Sequence, residues 1–133
     1  MAVIEIGMTL DDAQKSVQPI PPARYRGILV DWYKDSSGQV VTKTVKTKKN
    51  MVKPVFKVQS PEPSYNGRQF IYNAVIGDFS FGELTAAIPT LMIGTGIDTE
   101  AALGTEVWLD VSIGTYEGRE RNQIDHVLHI SAA

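Results

Sequence analysis

Between Glu106 and Ile113 the chain alternates strictly: Val107, Leu109, Val111 and Ile113 fall on one parity, and Glu106, Trp108, Asp110 and Ser112 on the other. Successive strand residues point to opposite faces, whereas a helix would scatter these apolar residues around its surface. The run therefore reads as a half-buried strand, with the valines and leucine in and Trp108 and its acidic neighbours out. The core beneath it must hold the fold unaided, because the 133 residues include no cysteine. That absence removes disulfides, a Cys nucleophile, Cys-ligated zinc and iron–sulfur clusters. A chain of this length buries about two-thirds of the surface its unfolded form exposes, enough for one domain. We divide it into an arm, residues 1–22, and a domain, residues 23–133.

Four further strands are expected. The segment from Ala23 through Tyr33 is rich in β-branched and aromatic residues, with Gly27 inside it marking a bend or bulge. A second strand is expected from Met51 to Gln59, with Val52, Phe56 and Val58 on one face and Lys53, Val55 and Lys57 on the other. Pro54 predicts an edge or a bulge there. Asn66-Gly67 turns into a third strand, Gln69 to Ile76, with Phe70, Tyr72, Ala74 and Ile76 on one face. Glu117-Gly118 turns into the last, Asn122 to Ile130, with Ile124, His126, Leu128 and Ile130 together. Ser80-Phe81-Gly82-Glu83 reads as a capping box before a helix that Pro89 ends, and Asp98 caps a short turn closed by Gly104. In the arm, Thr9-Leu10-Asp11-Asp12 predicts a short helix near 10–16, stopped by the prolines that follow.

The net charge of −2 conceals segregation. Residues 24–57 hold Arg24, Arg26, Lys34, Lys43, Lys46, Lys48, Lys49, Lys53 and Lys57 against Asp31 and Asp35 alone. Residues 69–118 contain seven acids and no Lys or Arg. A basic block of this kind suits a polyanion, whose counterions it releases on binding. The competing reading is a solvated loop placed for solubility. The stretch Val40 to Thr47, Val and Thr alternating with Lys, suits an exposed hairpin arm or a loop.

Three strands, a helical connection and two strands is the order of the OB-fold, a five-stranded, partly open barrel whose β1–β2 and β4–β5 loops flank an oligonucleotide groove. Here those loops would be the lysine-rich stretch and the turn carrying Tyr116, Arg119 and Arg121. The segments Ala23-Arg24-Tyr25-Arg26-Gly27, Phe56-Lys57-Val58, Tyr65-Asn66-Gly67-Arg68, Phe79-Ser80-Phe81-Gly82-Glu83-Leu84 and Tyr116-Glu117-Gly118-Arg119 carry a further likeness. With the Pro-rich lead into Ala23, this layout resembles the single-stranded-DNA-binding proteins of bacteriophage replication and recombination modules. The resemblance implies a non-catalytic OB-fold protein that coats single-stranded DNA with little sequence preference and works beside phage replication or recombination proteins. It departs from many such proteins in closing on His129-Ile130-Ser131-Ala132-Ala133 rather than on an acidic tail.

A single-strand groove needs cations for the backbone and aromatic faces for bases. Lys53 and Lys57, opposite Phe56, are expected to reach phosphates; Lys34, Lys43, Lys46, Lys48 and Lys49 could close over the strand from the loop. Arg24 and Arg26 on the first strand belong to the same block. Arg119 and Arg121 either bind phosphate or pair with Glu117 or Glu120. Trp32 and Tyr33 end the first strand beside the loop, and one of the two should present its ring. Tyr72 is a stacking candidate or a core residue, and Tyr116 a stacking or hairpin-packing residue. Trp108, among acids, suits a protein contact. All of these basic elements are expected to converge on one cleft.

Other chemistry finds little support. His126 and His129, three residues apart on a strand, face opposite ways and cannot share a metal, and no cofactor is implied. Gly94-Thr95-Gly96 lacks phosphate-loop spacing, and no acids are spaced as a catalytic pair. The longest uncharged run, Leu84 to Ile97, is shorter than the roughly 20 residues of a membrane helix and is broken by Pro89, Gly94 and Gly96. The opening MAVIEIGMTLDD lacks a basic n-region, so an intracellular protein is expected, in the host cytoplasm if phage-encoded. RNA is the alternative polymer, since OB-folds accept either. The alternative function is a small β-barrel virion or assembly protein, in which the acidic block and Trp108 form the interface. Self-association, acidic face to basic face, fits both.

Overall fold

The computed structural model describes residues 2–7, 9–10, 18–43 and 48–132. The chain is mainly β. The strands are β1 (Ala23–Trp32), β2 (Thr42–Lys43), β3 (Asn50–Val52), β4 (Pro54–Gln59), β5 (Gln69–Ile71), β6 (Ala74–Val75), β7 (Met92–Ile93), β8 (Gly96–Ile97), β9 (Glu106–Tyr116) and β10 (Arg119–His129). Helix α1 (Phe79–Ala87) and the single turn α2 (Thr99–Ala102) lie between β6 and β9. The expected helix near 10–16 falls largely outside the described residues.

The strand order of the main sheet is β10-β9-β1-β4-β5, antiparallel throughout. A small sheet, β2-β3-β6, stands beside it, and β7-β8 form a separate hairpin. Among the described residues no backbone pairing joins the edges β5 and β10, so the sheet is not closed into a barrel, although the two edges approach each other.

The expected second and third strands each break in two. Pro54 has no N–H to donate and opens β4, so the chain changes sheet at Lys53. Opposite it, Tyr72 and Asn73 separate β5 from β6, and the Tyr72 N–H still donates to the Pro54 carbonyl at 3.0 Å. β3 and β6 then pair with each other in the small sheet, while β4 and β5 stay in the large one.

Leu29, Phe56, Val58, Val107, Leu109 and Val127 line the inner face of the main sheet and are fully buried, with Leu84, Ile88 and Leu91 packed in the same core. Gly27 sits on this inner face against Leu109. A Cβ at Gly27 would lie 2.5 Å from the Leu109 Cδ1, so glycine is required by close packing of β1 on β9.

Two expectations shift by a residue or two. Helix α1 begins at Phe79, with Asp78 as its N-cap, and Ser80 does not cap it. The Ser80 hydroxyl instead accepts from the Val75 N–H at 2.9 Å, and Glu83 reaches across to β10. In β10 a bulge between Ile124 and His126 moves the alternation by one, so Val127 is buried where His126 and Leu128 were expected. His126 therefore stands at the surface. Asp98 does cap α2, accepting from the Ala101 N–H at 3.0 Å. Glu117 and Gly118 both take positive φ, 51° and 76°, the backbone of a tight I′ hairpin turn.

Candidate nucleic-acid interface

The outer face of the main sheet divides into two halves of different character. On the β1–β9 half the arginines are occupied. Arg24 Nε and Nη2 donate to the Asp110 carboxylate at 2.6 and 3.1 Å. Arg26 donates to Glu106 at 3.0 Å, and its guanidinium lies 5.7 Å from the centre of the Trp108 ring. Pairing β1 with β9 sets Arg24 beside Asp110 and Arg26 beside Trp108, so the two charge blocks of the sequence neutralise each other here. The Arg24 hydrogen bond holds the Asp110 carboxyl below the usual carboxylate range. Arg24 and Arg26 thus each have a carboxylate partner, while their side chains stay 42% and 46% exposed.

The β4–β5 half is different. Val55 and Lys57 point outward from β4, opposite Ile71 and Gln69 of β5. Lys57 is exposed, and Ile71 keeps 45% of its surface in solvent. At the upper end Tyr33 is 45% exposed, and the Lys53 ammonium lies 5.0 Å from its ring centre. The Tyr33 N–H donates to the Lys53 carbonyl at 2.9 Å, which fixes the two side chains as neighbours. The acid on this strip is Asp31, whose carboxylate accepts from the Trp32 N–H. Aromatic face, aliphatic floor and ammonium groups thus alternate along one strand pair.

Beyond Lys53 the strip leads to the small sheet. A cleft of about 500 Å³ there is lined by Lys43, Lys48, Lys49, Asn50, Ile76, Gly77 and Asp78. Lys49 donates to Asp78 at 3.0 Å. Lys48 has a φ of 54°, a left-handed backbone that turns the chain into β3. Lys34 is exposed just after β1, where Asp35 folds the turn by accepting from the Ser37 and Gln39 N–H groups. Those bonds, from Gln39 first, lower the Asp35 pKa. Lys46 lies outside the described residues.

At the opposite end of the sheet stands the β9–β10 hairpin. Tyr116 is 58% exposed, with the Arg121 guanidinium 5.1 Å from its ring centre. Arg119 is exposed, and Arg121 shares a cleft with Arg68 and Phe70. The basic residues therefore form three groups rather than one trough: a lysine cleft, the β4–β5 strip adjoining it, and the hairpin at the far end.

Two aromatic candidates are buried. Trp32 is 4% exposed and its Nε1–H donates to the Thr99 carbonyl at 2.9 Å; of the Trp32–Tyr33 pair, Tyr33 presents its ring. Tyr72 is 5% exposed, and its hydroxyl donates to Glu83 at 3.0 Å. Burial and that carboxylate raise the Tyr72 pKa. Neither ring can stack on a base. Sequence reasoning overlooked Ile71 and Arg68. Ile71 was legible as the outward parity beside Phe70; Arg68 had no such signal, because its position at the sheet edge is a tertiary fact.

Glu83 organises the end of the core. Its side chain is 9% exposed and accepts from Tyr72 and from the Val127 N–H at 2.8 Å, and it meets His126 Nδ1 at 3.0 Å. This carboxylate supplies the edge of β10 with the partner a neighbouring strand would have given. Hydrogen bonding to Glu83 raises the His126 pKa.

Among the described residues no group of three or more His, Asp or Glu side chains is placed to hold a metal, and no helix is long and apolar enough to cross a membrane. No protein-family model matches the sequence, and no curated protein is significantly similar to it.

Proposed function

We propose that the protein binds single-stranded DNA, without catalysis and with little sequence preference, along the outer face of β4 and β5. The observation that carries this reading is the strip Tyr33–Lys53–Val55–Ile71–Lys57, which combines exposed ring and aliphatic surface with ammonium groups. Bases stack on sequence-tolerant faces at about 1–3 kcal/mol each, while cations follow the phosphates. The lysine cleft extends the same track from the side of Lys53.

The OB-fold is the finer reading of the architecture. Numbering β1, β4, β5, β9 and β10 as strands one to five gives a sheet order of 5-4-1-2-3, with α1 between three and four. An OB-fold binds oligonucleotides on its strand 2–3 face, which here is the β4–β5 face. A role in phage replication or recombination rests on the motif resemblance alone.

Replacing Lys53 and Lys57 together by Glu tests the reading. Affinity for a poly-dT oligonucleotide, followed by fluorescence anisotropy, should fall at least tenfold while the melting temperature stays within a few degrees. Replacing Arg24 and Arg26 by Ala should cost far less affinity. A loss from the arginine pair as large as that from the lysine pair would contradict confinement to the β4–β5 face, and no loss in either would remove the proposal. Competition with an rU oligonucleotide separates DNA from RNA.

A further inference from the structure

We propose that the single strand lies with its backbone over β4 and its bases turned toward β5, where the ring of Phe79 stacks a base beyond the sheet edge. This inference rests on the β4–β5 reading and gives the strand an orientation across it. The two sides of the strip differ in chemistry. The ammonium groups stand on the β4 side, Lys53 just before the strand and Lys57 within it. β5 carries none: Gln69 and Ile71 face outward there, and the chain has no Lys or Arg from residue 69 to residue 118. Phosphates therefore find their partners over β4, and the apolar surface is left for bases.

Beyond β5 the surface continues into a cleft of about 420 Å³ whose lining includes Ile71, Asn73, Phe79, Gln123, Asp125 and His126. Ile71 belongs to both, so strip and cleft form one surface, and a volume of this order holds a small planar ligand. Phe79 is 78% exposed, more than Tyr33 at 45% or Tyr116 at 58%. Helix α1 is held to the core by Leu84 and Ala87, with Phe81 packed beside them, so the fold makes little use of the Phe79 ring. Charge decides which part of a nucleotide enters. Asp125 repels phosphate, and the basic residue of the lining, His126, is already matched by Glu83 at 3.0 Å. A neutral base meets no such barrier. The side-chain amides of Asn73 and Gln123 each combine donor and acceptor, so they can meet the edge of any base, and stacking on Phe79 is equally tolerant of sequence.

Phe79→Ala and the unmodified chain are compared on poly-dT and on an abasic oligonucleotide of the same length, by fluorescence anisotropy across a salt series. Affinity for poly-dT should fall about tenfold, the loss of one stacked base. The slope against salt and the melting temperature should not change, because no phosphate contact and no buried group is removed. On the abasic strand Phe79→Ala should cost nothing measurable. Phe79→Trp should keep the poly-dT affinity, and its fluorescence should be quenched on binding beyond that of the unmodified chain. Unchanged poly-dT affinity in Phe79→Ala, with the loss in Lys53→Glu plus Lys57→Glu intact, overturns this inference and leaves the β4–β5 reading standing. A matching loss on the abasic strand also overturns it, because the ring would then act on the backbone or on the fold. Poly-dT affinity that neither the lysine pair nor Phe79→Ala alters removes the β4–β5 reading and this inference together.

Discussion

Gly27 shows how one side chain fewer shapes this sheet. Its hydrogen leaves room for Leu109, which is fully buried and has nowhere to swing. Gly27→Ala should therefore destabilise the protein by about 1–3 kcal/mol through overpacking, read as a lower urea midpoint with an unchanged slope. His126 supplies a second test at this scale. Its pKa is raised by Glu83, with smaller contributions from Asp110 and Asp125. A histidine held above its unfolded value adds stability that is full below about pH 6.5 and fades as pH rises through the folded value. The melting temperature should fall between pH 6 and pH 8.5, and His126→Asn should flatten that slope. Asp110 works the other way. Arg24 lowers its pKa, so its contribution is present above about pH 4 and is lost as pH falls through its depressed value. Arg24→Ala should raise the midpoint of acid unfolding, measured by circular dichroism.

At the scale of elements, local chemistry was legible and partner choice was not. The alternation of β9 from Glu106 to Val111, the Asp98 cap and the Glu117-Gly118 turn stand as read, because each depends on residues within a few positions, whereas Ile113, expected inside, lies past the edge of the core and is exposed. The capping box did not stand, because the Val75 N–H and the edge of β10 compete for Ser80 and Glu83. Both partners are distant or on another element, and no local pattern announces them. The β10 bulge is a similar case. It leaves His126 outside and Val127 inside, and only the pairing with β9 reveals it. Glu83→Gln keeps the shape but replaces one acceptor oxygen with an amide that cannot accept. It should destabilise α1 against β10 by about 1–3 kcal/mol, the cost of unsatisfied partly buried donors. Thermal unfolding at pH 6 measures it.

Across the whole molecule, the sequence revealed two opposite charge blocks but not how they would meet. Counting residues suggested a basic face and an acidic face. Antiparallel pairing of β1 with β9 instead brings Arg24 to Asp110 and Arg26 to Glu106, and the turn before α1 brings Asp78 to Lys49. Much of the segregation is spent inside the fold. What survives as exposed cation beside aromatic and aliphatic surface is the β4–β5 strip and, at the far end, the Tyr116–Arg121 pair of the β9–β10 hairpin. The aromatic candidates sort by the same logic. Trp32 was taken by the core and Tyr33 left at the surface, a choice that depends on which parity faces Thr99.

The β4–β5 strip is tested most directly by the salt dependence of poly-dT binding in the unmodified chain and in Lys53→Glu with Lys57→Glu. Each phosphate contact to a single strand contributes about 0.7 to the slope of log affinity against log salt. Loss of two such contacts should reduce that slope by about 1.4, together with the affinity. An unchanged slope in the double variant, or no salt dependence in the unmodified chain, would contradict the account.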